Sequence, residues 1–273
     1  MSRKSDSEPT AGNLKSLRVQ IDKFDLQILE LLSKRAAIAA QIGKVKADTG
    51  GEVFSAAREE EVLGNVLKAN KGPLQPVTLK AIYRELISGS RALQRVQRVA
   101  YLGPEYSYSQ LAALERFGQG VEYARVGSIL AVFEEVARKH AHLGVVPLEN
   151  STDGRIADTL DCFIRMPQVK ICMEIRLRVH HHLLANCQPA EVRRVYSKAQ
   201  ALSQCRNWLG KNLPHASIHE VTSTAHAAEL VQREPFAAAV ASRQAGVQYG
   251  LKALFSSIED SPENETRFAV IAL

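Results

Sequence analysis

"ALQRVQRVAYLGPEYSYS", residues 92–109, is where the chain changes rhythm. Before it, apolar residues recur every three or four positions, the period of a helix face. Within it, "RVAYLG" (98–103) is a nearly continuous apolar run, as in a buried strand. Gly103-Pro104 then forces a turn, and Ser107 and Ser109 stand where a helix starts. The stretch therefore joins a helical region to an α/β region, with the boundary near residues 95–99. The expected division is a disordered leader over 1–12, a helical domain over 13–97 and an α/β domain over 98–273.

Upstream, Leu14, Leu17, Ile21, Phe24, Ile28, Leu31, Ile38, Ile42 and Val45 form one stripe, long for a globular helix. Val62, Leu63, Val66 and Leu67 start a second helix, and Leu79, Ile82, Leu86 and Leu93 mark a third. The only prolines between 14 and 97, Pro73 and Pro76, lie in the loop "ANKGPLQP". One long helix and two short ones offer too little partner surface to bury that stripe, so a dimeric helical bundle is expected.

Downstream, "HLGVVPLEN", "VKICMEIRLRV", "RRVYS", "FAAAVAS" and "TRFAVIAL" read as further strands. Helical patterns alternate with them at 108–117, 128–140, 154–166, 199–210, 223–233 and 242–249. That alternation implies an α/β domain with a largely parallel, two-sided sheet.

Composition narrows the function. The 273 residues are 45% hydrophobic with a net charge of +6. No apolar run is long enough to span a bilayer, and the polar start "MSRKSDSEPTAGN" lacks the core of a secretory signal. A cytoplasmic protein with no membrane partner is expected. Lys and Arg are scattered and not interleaved with aromatics, which disfavours nucleic acid and suits small anionic substrates. The cysteines at 162, 172, 187 and 205 form no CxxC pair, so zinc is disfavoured and buried thiols are expected. His180-His181-His182 is a poor metal-ligand set, because adjacent strand residues face opposite ways. No GxGxxG or P-loop occurs, and no cofactor is expected.

Polar residues interrupt the helical stripes in one pattern. Arg35 lies in step with Ile28, Leu32, Ala39 and Ile42, and Lys46 follows about three turns later at nearly the same angle. Ser90 and Gln94, four residues apart, break the third helix's stripe, and Arg58 and Glu59 open the second. Such cations either snorkel at a seam or line a pocket for a small dianion, since an unpaired desolvated cation is costly. Arg18 lies ~25 Å along the helix from Arg35, too far to share its pocket but placed to complete a partner's.

These residues, within "LKSLRVQIDKFDLQILELLSKRAAIAAQIGKVK", "REEEVL" and "ISGSRALQ", resemble the all-helical chorismate mutases. The resemblance implies a site of Arg35, Lys46, Arg58, Glu59, Ser90 and Gln94, with Arg18 given by the other protomer of a homodimer. Ser55 stands where some members have aspartate. The implied reaction, chorismate to prephenate, is an intramolecular rearrangement that needs a held conformer and a stabilised ether oxygen. Arg18, Arg35 and Arg58 would fork onto carboxylates. Lys46 and Gln94 would donate to the ether oxygen, and Glu59 would be protonated or bonded to the substrate hydroxyl.

Four α/β loops share one character: "GPEYSYS" (103–109), "PLENSTDG" (147–154), "YSKAQALSQC" (196–205) and "TSTAHAAEL" (222–230). Each places hydroxyls or amides after a strand and before a helix. Singly they are ordinary caps; four at strand ends fit an anion site at the mouth of a sheet. With "YGL" and "NETRFAVI" they resemble the prephenate dehydratases across 98–273. That resemblance implies two α/β lobes like type II periplasmic binding proteins, with the site between them. It carries over Ser107, Glu149, Asn150, Ser151, Gln200, Ser223, Thr224, Arg267 and Phe268 as substrate-binding residues and Thr266 as the catalytic one. Thr266 would assist departure of the ring hydroxyl as prephenate loses CO2 and becomes phenylpyruvate. Arg267 would hold a carboxylate or orient Thr266. Two positions depart from the family: Tyr106 for a usual glycine, and Lys198-Ala199 for a usual His-Pro.

The two resemblances make one sequence of reactions, since the first product is the second substrate: a bifunctional enzyme of phenylalanine biosynthesis. Arogenate dehydratase activity, or a non-catalytic binding domain in which Tyr106 obstructs chemistry, are the alternatives. Family members usually continue past "ENETRFAVI" (263–271) into an ACT domain that binds phenylalanine, whereas this sequence stops five residues after Phe268. Insensitivity to phenylalanine is the corresponding expectation.

Overall fold

The computed structural model describes residues 11–51, 53–152 and 154–273. Of the leader expected over 1–12, residues 1–10 lie outside the described residues, while positions 11 and 12 already belong to a helix. That helix, α1 (Ala11–Thr49), is followed by α2 (Ala56–Ala69) and α3 (Pro76–Gln94). The chain forms two compact units, one of residues up to Ser55 with Ser90–Arg95, the other of Ala56–Gly89 with Val96–Leu273.

In the first unit, α1 meets the last turn of α3 at Gly43, where a Cβ would sit 2.7 Å from Gln94 Cγ. Glycine costs a helix interior about 1 kcal/mol relative to alanine; here it permits that approach. Ala39, one turn earlier, is also buried. The long apolar stripe is uncovered in the single chain: Ile28 is 52% exposed and Ile42 47%. Arg35, half-buried, lies one turn before Ala39 on the line that continues through Gly43, as expected, whereas Ile28 and Ile42 do not share that inward line.

The second unit contains two α/β lobes. The first has β1 (Gln97–Leu102), α4 (Tyr108–Phe117), β2 (Val121–Val126), α5 (Ile129–Ala137), β3 (Leu143–Asn150), β4 (Gly154–Arg155), α6 (Ala157–Arg165) and β5 (Lys170–Arg178). The second has β6 (His182–Ala185), β7 (Arg194–Ser197), α7 (Ala199–Gln204), α8 (Arg206–Asn212), β8 (Ser217–Glu220), α9 (Thr224–Arg233), β9 (Ala237–Ala241), α10 (Arg243–Gln248) and β10 (Lys252–Phe255). The chain then returns to the first lobe as β11 (Glu265–Ala272).

The first sheet runs β2-β1-β3-β11-β5 with β4 on β3, and the second β10-β6-β9-β7-β8. Strands joined through a helix pair in parallel, β1 with β2 and β7 with β8. Strands entered by crossing between lobes run antiparallel to their neighbours, β6 to β9 and β11 to both β3 and β5. The expected largely parallel sheet is thus corrected to two mixed sheets. Val132, Phe133, Val146 and Ile271 centre the first core. Both faces of the second sheet are covered, Val195 and Leu209 on one and Ala228 and Ala239 on the other.

Candidate active sites

The first unit brings together four of the residues expected around the helical site. Arg35 Nη1 donates to Ser90 Oγ across the two helices. Lys46 Nζ donates to the Val53 carbonyl at 3.3 Å. Gln94 lies against Gly43, two turns from Arg35 on α1. Arg18 is exposed near the start of α1. Arg58 and Glu59 belong to the second unit, where Arg58 pairs with Glu61 at 2.7 Å and Glu59 with Arg116 of α4 at 2.7 Å.

A cleft of about 820 Å³ lies between the lobes of the second unit. Its walls come from the loops after β1, β3, β7 and β8 and from β11. Ser107, Asn150, Gln200, Ser223, Thr224, Thr266 and Phe268 all line it. Ser107 caps α4, accepting from the Gln110 N–H at 3.4 Å and donating to the Leu102 carbonyl at 3.1 Å. Ser223 caps α9, accepting from the His226 N–H at 3.0 Å. Such caps leave first-turn N–H groups at the cleft mouth.

Three expected residues, Glu149, Ser151 and Arg267, are not among those that line the cleft. Arg267 lies between Thr266 and Phe268 on β11, so strand alternation turns it to the opposite face. There it donates to Glu149 at 2.6 Å and to Glu174 at 2.7 and 2.9 Å. Glu149 is therefore an ion-pair partner behind the sheet. Ser151 ties down the entry to β11, accepting from the Glu265 N–H at 3.0 Å and donating to the Glu263 carbonyl at 3.2 Å.

Thr266 is 8% exposed, and a chain of amides fixes its hydrogen bonding. The Thr152 backbone N–H can only donate, and it meets Asn150 Oδ1 at 2.9 Å. Asn150 must therefore turn its Nδ2 to Thr266 Oγ1, 2.8 Å away. Since Oγ1 accepts there, its own hydrogen is left to donate, and no described residue takes it. Phe268, 1% exposed, supplies an apolar wall beside it.

Several cleft residues were not foreseen. Arg125, from the end of β2, and Lys198, before α7, line it, and neither has an ion-pair partner among the described residues. Lys198 carried a signal as a departure from the family; Arg125 sits in a strand missed by the sequence reading. Tyr108, His181 and Gln204 also line the cleft. Burial pushes the Tyr108 phenol well above its ordinary range and the His181 imidazole below its own. Tyr106, by contrast, packs its ring edge-on against Tyr249, centroids 6.1 Å apart, and is not among the cleft's lining residues. The expectation that it obstructs the site is thereby removed.

A two-lobed α/β domain with a hydroxyl-, amide- and cation-lined cleft, preceded by a helical region that gathers Arg35, Ser90, Lys46 and Gln94, fits an enzyme acting on small anions. Residues 17–95 match the family model for chorismate mutase type II, and 99–273 that for prephenate dehydratase. The bifunctional chorismate mutase/prephenate dehydratase of Pseudomonas aeruginosa is 42% identical over 265 residues, covering 94% of this chain and 72% of that protein. The one of Aquifex aeolicus is 43% identical over 264 residues, covering 95% and 73%. The solved prephenate dehydratase of Staphylococcus aureus matches with 31% identity and a TM-score of 0.57, over 64% of this chain and 66% of that one. The chain belongs to the bifunctional chorismate mutase/prephenate dehydratase family.

Proposed function

We propose that the chain converts chorismate to prephenate in its helical domain, residues 13–97, and prephenate to phenylpyruvate in the cleft of its α/β domain, residues 98–273. The observation that carries the second activity is the polarity of the Asn150–Thr266 bond, which leaves the threonine hydrogen to the substrate. In the reaction the ring–carboxylate bond breaks and its electron pair enters the ring. The bond to the ring hydroxyl breaks in turn, and the departing hydroxide takes up a proton from solvent to leave as water. Thr266 is too weak an acid to ionise, so it donates a hydrogen bond to that oxygen as charge develops. Arg125 and Lys198 supply cationic charge for the substrate carboxylates, a task that Arg267 is turned away from. Ser107, Ser223 and Thr224 present helix-start donors to the pyruvyl end.

For the first activity, Arg35 and Ser90 bind a carboxylate, and Lys46 and Gln94 attend the ether oxygen. Arg18 is assigned to a partner's pocket. A homodimer through α1 is supported by the uncovered apolar stripe, in which Leu31 is 65% exposed. A cytoplasmic location is supported by four cysteines in no disulfide, although Cys172 is exposed rather than buried as expected. No described helix is long and apolar enough to cross a membrane.

Incubation with chorismate should yield prephenate and then phenylpyruvate. Arg35→Ala is expected to lower mutase turnover at least about 100-fold and to spare the dehydratase. Thr266→Ala should lower dehydratase turnover by about 100-fold or more and spare the mutase. Equal loss of both activities in folded protein refutes the two-site assignment.

A further inference from the structure

His181 is 2% exposed and still reaches the cleft wall. Its Nε2 lies 2.8 Å from Gln204 Oε1. Gln204 Nε2 donates to Asn150 Oδ1 at 3.3 Å, the same oxygen held by the Thr152 N–H. With its amide nitrogen committed to Asn150, Gln204 presents only an acceptor to its other neighbours. Asn264 Nδ2 therefore donates to Gln204 Oε1 at 2.8 Å, and His181 must carry its proton on Nε2. The opposite nitrogen, Nδ1, lies 3.1 Å from the Tyr108 hydroxyl, and the two rings meet edge to face. The ring's own backbone N–H is tied to Glu259 at 2.9 Å. His181 is thus fixed on three sides, while Gln204 depends on its neighbours for orientation.

We propose that His181 is a positioning residue for the dehydratase step, its Nε2–H holding the Gln204–Asn150 amide pair in the polarity that leaves the Thr266 hydroxyl hydrogen for the substrate. The inference rests on the dehydratase reading given above. His181 does not touch the reacting atoms; it acts two hydrogen bonds away, through Gln204 and Asn150. Without its donor, Gln204 Oε1 retains Asn264 alone, and the amide can swing. Asn150 then loses one of the bonds that aim it at Thr266. Binding of the substrate carboxylates to Arg125 and Lys198 does not pass through this chain, so turnover should fall and KM should hold.

The test is steady-state kinetics on the full chain with prephenate. His181→Phe keeps the ring contact with Tyr108 and removes both nitrogens. It is expected to lower kcat at least tenfold, with KM within threefold and mutase activity unchanged. His181→Gln, which restores an N–H at similar reach, should recover kcat to within threefold of the parent. Asn150→Ala combined with His181→Phe should be no slower than Asn150→Ala alone, because both act on one hydrogen bond. A His181→Phe kcat within twofold of the parent, or multiplicative losses in the double variant, overturns the proposal. Should His181→Phe fail to fold, His181→Asn against His181→Gln gives the same contrast, since Asn is one methylene too short. A tenfold gap in kcat is expected there, and equal rates refute the idea. A parent chain that makes no phenylpyruvate from prephenate fails the dehydratase reading instead.

Discussion

Thr266 and Arg267 are adjacent on β11, and strand alternation gives them different work. Thr266 faces the cleft with its hydrogen available, whereas Arg267 bridges Glu149 on β3 and Glu174 on β5. Removing the guanidinium leaves two carboxylates facing a neutral strand. Arg267→Ala is therefore expected to lower the melting temperature while reducing dehydratase kcat/KM less than tenfold, well short of the Thr266→Ala loss. Calorimetry and prephenate kinetics on the two variants check this. The motif located both residues in the sequence, but only alternation sorts them by face, and transferring a motif whole ignores it. The histidine triplet escapes that reasoning, because His180 and His181 lie in the passage between β5 and β6 and only His182 belongs to a strand. Tyr106 shows the converse. It adopts φ +62°, the left-handed region favoured by glycine, so its departure from the family marked a real backbone constraint.

Helices were more legible than strands. The expected 108–117 coincides with α4, because Ser107 caps it and Gly118, at φ +67°, ends it. The pattern over 199–210 is instead two helices, α7 and α8, meeting at Cys205. Strands β2, β4, β6, β8 and β10 are not among the stretches that the sequence pattern marks, and β4 falls inside the helical pattern expected over 154–166. β8, "SIHE", is exposed along its length and so carries no hydrophobic alternation, while β6 has only four residues. Register and sheet order are long-range facts that local pattern does not encode, and the antiparallel entry of β11 was invisible for that reason. At this scale α1 makes a prediction of its own. Its contact with the end of α3 depends on Gly43, where any side chain meets Gln94 Cγ at 2.7 Å and Cα at 2.9 Å. Because the second neighbour is backbone, it has little room to give. Gly43→Leu should raise intrinsic helix propensity and yet reduce mutase activity at least tenfold, with the dehydratase retained. Circular dichroism and paired assays separate the two effects.

The chain passes between the lobes twice, at residues 179–181 and 256–264, and one carboxylate joins the passages. Glu259 accepts from His180 Nδ1 at 2.7 Å and from the His181 N–H at 2.9 Å. Burial alone would raise its pKa, but the bonds from His180 and the His181 backbone outweigh burial and hold it below the ordinary carboxylate value of 4.5. A depressed carboxylate contributes stability above its unfolded pKa and loses it as pH falls through the folded one. His181 and His182 are held below 6.5, chiefly by burial. For them too the unfolded chain binds protons first, so stability declines as pH drops below 6.5. Stability should therefore fall in two stages on acidification, a histidine stage beginning below 6.5 and a carboxylate stage below 4.5. Glu259→Gln keeps an acceptor for the His181 N–H and removes the charge, so it should flatten the second stage; because that charge also props up the His181 and His182 pKa values against burial, the first stage should deepen. Urea midpoints measured from neutral pH to pH 4 and below, in parent and variant, would show this, and an unchanged acid limb in Glu259→Gln would remove Glu259 as its cause.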